Sequence, residues 1–121
     1  MTKKFLMFLT AMLLVGANAK ATNGVVINGA AYTATNIDIL GDGGSVAYDA
    51  TTNTLILTNA TIAATASPTS ANALLGACIV ALGDEFTLKV YGTNTLTSAN
   101  NYGIISMTTV AHIEGTGTLN V

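Results

Sequence analysis

The chain has 121 residues, half of them hydrophobic, with only 8% charged and a formal net charge of −2. Four lysines, no arginine and that negative balance exclude an electrostatic binder of nucleic acid, because phosphate backbones are held by clustered cations. Twenty threonines and 11 asparagines point instead to pleated, half-buried strands joined by many bends, within one domain of ordinary size.

The first segment is a leader. A short basic start (MTKK), an apolar run (FLMFLTAMLLVGA) and a small-x-small exit (ANA, then AKA) have the order of a secretory signal peptide, residues 1–21. The run is shorter than the roughly 20 apolar residues needed to span a bilayer. Cleavage is expected after Ala19 or Ala21, and no cysteine follows that would carry a lipid anchor. The mature protein is thus expected to be secreted, periplasmic or held at the cell surface, with no membrane insertion after cleavage. Starting at Lys20, it keeps Lys20 and Lys89 against six acids.

Residues 22–50 read as an N-terminal cap with the first strands. Within them, GDGGS (41–45) has the composition of a tight turn. Residues 51–121 carry a repeat. Leu88, Val90, Gly92, Thr93, Thr95 and Leu96 align with Ala111, Ile113, Gly115, Thr116, Thr118 and Leu119, each pair 23 apart. Thr54, Leu55, Leu57 and Asn59 align with Thr87, Leu88, Val90 and Gly92 at 33, and Cys78-Ile79-Val80 with Gly103-Ile104-Ile105 at 25. Self-similarity on this scale, in strands of period two and with no helical periodicity, predicts stacked β-coils pairing in parallel about 4.8 Å apart. The expected fold is all-β, a parallel β-helix or solenoid with an N-terminal cap. The alternative is an antiparallel β-sandwich, which does not account for the recurrence in register. The chain stops at Val121 inside a strand with no polar cap, so it is expected to be the N-terminal part of a longer protein.

Parity sorts the side chains. Leu55, Leu57, Leu88, Val90, Ala111 and Ile113 point to the core. Ile56, Thr58, Lys89, Tyr91, His112 and Glu114 point out, and the alignment predicts an outward ladder Thr58–Tyr91–Glu114. Leu96 and Leu119 turn inward again.

The stretch YDATTNTLILTNATI (48–62), followed by FTLKVYGTNTLT and a YGI step, resembles the opening of secreted bacterial right-handed β-helix proteins labelled carbohydrate-binding, over residues 24 to 121. The resemblance implies export, a right-handed, pectate-lyase-like fold, and polysaccharide binding in which calcium takes part in some members. It does not supply catalysis: the lyase chemistry uses a cationic base, often arginine, and this chain has none.

Read as chemistry, the residues favour a non-catalytic protein. Glycoside hydrolysis needs two carboxylates roughly 5 to 10 Å apart across a cleft, whereas Asp84 and Glu85 are adjacent and face opposite ways on an extended strand. They are the candidate calcium residues, the only cofactor considered, since other coils could add oxygens toward the six or more such an ion takes. Tyr91 offers a plate for sugar stacking. Thr58, Lys89, His112 and Glu114 complete the candidate glycan face, with Lys89 the one cation near an acidic polymer. Cys78, in GACIVAL, reads as a small buried hydrophobe. A structural or adhesive stalk is the alternative function. A minor one is an ice-binding face made of Thr93-Asn94-Thr95 and Thr116-Gly117-Thr118.

Overall fold

The computed structural model describes residues 22–65, 76–99 and 102–121. The expected leader lies outside these residues. Eleven strands and no helix are present among them. Gly24–Ile27 (β1) and Ala30–Tyr32 (β2) form a hairpin, closed by Asn28 and Gly29. Both turn residues have positive φ, 46° and 82°, which a two-residue turn of this hand requires. Val46–Asp49 (β3) and Thr54–Thr58 (β4) pair antiparallel. Then follow Thr61–Ala64 (β5), Ile79–Leu82 (β6), Glu85–Tyr91 (β7) and Thr93–Ser98 (β8). Ile104–Ser106 (β9), Val110–Glu114 (β10) and Thr118–Asn120 (β11) complete the order.

These strands make three sheets. Sheet A has the order β2-β1-β6-β9, sheet B β10-β7-β4-β3 and sheet C β11-β8-β5. From β6 onward the chain visits A, B and C in turn and then repeats the cycle. The ladders β4–β7, β7–β10, β5–β8, β8–β11 and β6–β9 are parallel. Three others, β1–β2, β1–β6 and β3–β4, are antiparallel and involve the first three strands.

Alternation of side chains builds the core. In β4 Leu55 and Leu57 are buried, and in β7 Phe86, Leu88 and Val90. Tyr48 joins them from β3 of the same sheet, Ile62, Ile79 and Leu96 from the other two sheets, and Cys78 from just ahead of β6. Each large aliphatic side chain withdrawn in this way contributes about 1.5–3 kcal/mol. Leu119 packs partly against the same cluster.

The register corrects one expectation. Thr54 to Thr58 pair with Thr87 to Tyr91, the predicted 33. The next ladder runs at 25: Ala111 lies beside Phe86, Ile113 beside Leu88 and Glu114 beside Lys89. Thr118 lies beside Thr93 at the same offset. The 23-residue alignment is therefore two residues short. The offset is already 25 at β6–β9 and does not change across the corner after β10, so Gly117, and not Gly115, takes the place of Gly92. Both offsets are odd, so the inward and outward assignments survive. Ala111 and Ile113 keep core parity but are exposed, Ile113 to 66%.

Candidate functional site

The candidate residues lie on the outer face of sheet B, where strand parity and register arrange them in rows. Thr58 is the direct neighbour of Tyr91, and both are exposed. Ala47, Ile56, Lys89 and Glu114 form the next row, and Asp49, Thr54, Thr87 and His112 the one beyond it. The ladder Thr58–Tyr91–Glu114 is not formed, because Glu114 belongs to the row of Lys89. Gly115 lies against the Val90 backbone and Gly117 against Gly92 and Tyr91. The residue between them, Thr116, thus takes the place beside Tyr91.

Two polar pairs tie β10 to β7 across this face. Lys89 Nζ lies 3.8 Å from Glu114 Oε1, and His112 Nε2 lies 3.0 Å from Glu85 Oε1. Exposed pairs of this kind contribute roughly 0–1 kcal/mol each. Their larger effect is on the field of the face. Lys89, expected to attract an acidic polymer, already faces Glu114, and Asp49 and Glu85 stand on the same surface. Tyr91 is 39% exposed and presents part of its ring to solvent.

Asp84 and Glu85 sit at the corner between sheets A and B, beside a cleft of about 550 Å³. The cleft is also lined by Thr22 and Asn23 ahead of β1, Thr33 after β2, and the 51–53 turn ahead of β4. Among the described residues, no group of three or more His, Cys, Asp or Glu side chains gathers as a metal site. The GDGGS turn is held by carboxylates acting on its own backbone. Asp38 accepts from the N–H groups of Asp42, Gly43 and Gly44, and Asp42 from the N–H and hydroxyl of Ser45. The Ser45 hydroxyl bond, with the Ser45 N–H, holds the Asp42 carboxyl below its ordinary range.

Sheet C carries the threonines expected to form a flat array, again at the corrected register. Thr93 stands beside Thr118, and Thr61 beside Thr95 beside Asn120. Thr93 is not paired with Thr116, nor Thr95 with Thr118.

Two buried asparagines, unforeseen in the sequence, shape the corners that hold these faces. Asn53 donates from Nδ2 to the carbonyls of Leu82 (2.7 Å) and Glu85 (2.8 Å) and accepts the Tyr48 hydroxyl at 2.5 Å. Asn94 accepts the Ala60 N–H at 2.8 Å and donates to the carbonyls of Tyr91 and Thr118. Their signal is the tetrapeptide T-N-T-L, present at 52–55 and again at 93–96. Each amide closes backbone groups that a bend leaves without a ladder partner. Cys78 is buried, its thiol near the carbonyls of Thr97 (3.2 Å) and Ile62 (3.5 Å), and burial raises its pKa.

No family model matches the chain, and neither a curated protein nor a solved structure does.

Proposed function

We propose that the protein is an exported, non-catalytic β-solenoid of the right-handed type that binds polysaccharide on the outer face of sheet B. The solenoid reading is supported by the A-B-C cycle of strands and by the constant offset of 25 across the β6–β9, β7–β10 and β8–β11 ladders. Export is supported by the leader. The observation that carries the binding face is Tyr91, exposed in a flat strand row beside Thr58, with the Lys89–Glu114 and His112–Glu85 pairs alongside. A strand-borne surface loses little conformational freedom when it binds. A non-catalytic role is supported by the commitment of Glu85 and Glu114 to basic neighbours. Because Lys89 is offset by Glu114, the face suits a neutral polymer better than an acidic one.

A glycan array followed by titration of the retained polymers tests this. Tyr91→Ala is expected to weaken binding by about 1 kcal/mol, in line with aromatic contributions. Full affinity of that variant on every glycan bound removes the face from consideration, and absence of all glycan binding leaves a structural stalk as the better account.

A second reading, a surface that orders water as ice-binding faces do, draws on the Thr93–Thr118 and Thr61–Thr95 rows of sheet C. Thermal hysteresis lost on Thr95→Tyr would favour it.

A further inference from the structure

We propose that the polymer lies along the corner between sheets B and C, and that it is an unbranched β-1,4-linked chain with one ring on each pass of the coil. The placement rests on the polysaccharide reading and adds Thr93 and Thr118 of sheet C to the contacts of Tyr91.

The corner is narrow and bare. Gly92 alone separates β7 from β8, and Gly117 stands beside it on the third pass, against the backbone of Gly92 and Tyr91. No side chain therefore rises between the last outward row of sheet B and the first of sheet C. On the B side Thr58 and Thr116 flank Tyr91 along the coil axis. On the C side Thr93 stands beside Thr118. All five are exposed. An aromatic plate is bordered by four hydroxyls, two along the axis and two across the glycine edge. Elsewhere threonine hydroxyls are used within the chain, as at Thr35, Thr52 and Thr54. Among the described residues, no hydrogen bond occupies those of Thr58, Thr93, Thr116 or Thr118. Each can donate and accept, which suits the equatorial hydroxyls at the rim of a pyranose whose C–H face stacks on Tyr91.

The backbone under these side chains is fixed. Buried Asn94 joins all three passes, accepting the Ala60 N–H at 2.8 Å and donating to the carbonyls of Tyr91 (3.1 Å) and Thr118 (3.2 Å). Asn59 Oδ1 accepts the Thr93 N–H at 2.9 Å, and the Gly92 carbonyl accepts the Thr118 N–H at 2.7 Å. Little freedom is left to lose when a ring settles.

The spacing of the passes selects the polymer. Paired strands lie about 4.8 Å apart, and the rings of an all-equatorial β-1,4 chain follow one another at close to that interval in a flat ribbon. Consecutive rings then fall on Thr58, Tyr91 and Thr116. An α-1,4 chain coils and a β-1,3 chain winds, so each lifts its next ring off a straight track. The Lys89–Glu114 pair borders the track on sheet B and keeps the ribbon at the corner.

The test is titration with cellohexaose, mannohexaose, maltohexaose and laminarihexaose, followed by calorimetry and by backbone amide NMR. A β-1,4 hexaose is expected to bind more tightly than the last two and to shift the amides of Gly92, Thr93, Gly117 and Thr118 together with that of Tyr91. Thr93→Val combined with Thr118→Val should weaken it about tenfold, the loss of two modest hydrogen bonds. Thr93→Ser with Thr118→Ser keeps both hydroxyls and should retain affinity. Thr51→Val with Thr97→Val, at exposed positions away from the corner, is expected to leave binding unchanged. Thermal melts of all three double variants should match the parent. Binding that needs Tyr91 but ignores the Thr93 and Thr118 changes, with shifts running down β7 to Thr87, overturns the corner track and leaves the sheet B face standing. Equal binding of maltohexaose or laminarihexaose overturns the choice of polymer. Failure of all four hexaoses, while other glycans are held through Tyr91, overturns both polymer and corner but not the face.

Discussion

Ile113 lies beside Leu88, 25 residues earlier in the chain, and not beside Val90, where residue identity would align it. That pairing fixes the third pass of the chain against the second, and with it the neighbours of every exposed residue on sheet B.

Leu88 and Lys89 are adjacent in sequence and opposite in environment. Leu88 is 2% exposed and packed in the core, while Lys89 reaches solvent and Glu114. Leu88→Asp buries a charge with no partner and is expected to cost several kcal/mol. Lys89→Ala loses one exposed ion pair and should cost about 0–1 kcal/mol. Chemical denaturation of the two variants checks this, and equal midpoints would reject the in–out assignment.

Asn94→Ala removes the acceptor of the Ala60 N–H and the donor to two carbonyls in a fully buried position. Leaving buried backbone groups unpaired costs about 1–3 kcal/mol for each group. The expected result is a loss larger than that of Thr95→Ala, its partly exposed neighbour, and it is read from melting temperatures. Asn94→Asp should recover little, since the carbonyls of Tyr91 and Thr118 still lack their donor.

Gly92 has φ of 69°, and a Cβ placed on it would collide with the Asn59 side chain. Asn59 Oδ1 in turn accepts the Thr93 N–H at 2.9 Å, so the clash also disturbs the start of β8. Gly43, with φ of 98°, has open space around its Cβ position. Gly43→Ala is expected to cost about 1–2 kcal/mol from the left-handed backbone alone. Gly92→Ala should cost clearly more. Urea midpoints for the pair decide the matter, and equal losses would remove the steric contact between the two turns.

The Tyr48 hydroxyl has its pKa raised to about 12 by burial, with Asp49 adding to the effect. The unfolded value is near 10. A pKa raised by folding contributes stability that is whole below the unfolded value and is lost as pH climbs through the folded one. Stability is therefore expected to fall between about pH 10 and pH 12 through this residue. Tyr48→Phe should be less stable at neutral pH, because Asn53 Oδ1 loses its donor, and should show a flatter alkaline limb. Denaturation at stepped pH measures both.

Burial raises the Cys78 pKa, and the thiol is enclosed in the core. Thiolate is the reactive form, so native protein is expected to resist maleimide at pH 7 and to label fully once unfolded. Rapid native labelling would place Cys78 outside the core.

Much of this was legible in the residues alone. Period-two alternation in TLILT and EFTLKVY marked Leu55, Leu57, Leu88 and Val90 as core and Lys89 and Tyr91 as surface, because a strand leaves each side chain only two faces. The 33-residue match of Thr54–Thr58 with Thr87–Tyr91 was readable for the same reason, since like residues occupy like places. Asn28-Gly29 carried a hairpin signal as well, a pair of residues that tolerate positive φ. What the residues did not disclose was where each corner ends. Identity matched Gly92 with Gly115, but Gly117 is the glycine that takes the place of Gly92. Backbone bonds, Gly117 N–H to the Val90 carbonyl and Thr118 N–H to that of Gly92, seat it at 25. A shift of two, being even, keeps every side chain on its face while changing all its neighbours, so Lys89 meets Glu114 and Tyr91 does not. The cleft beside Asp84 was equally hidden, since it joins the 22–23, 33, 51–53 and 84–85 segments, which only the packing of sheet A against sheet B brings to one corner.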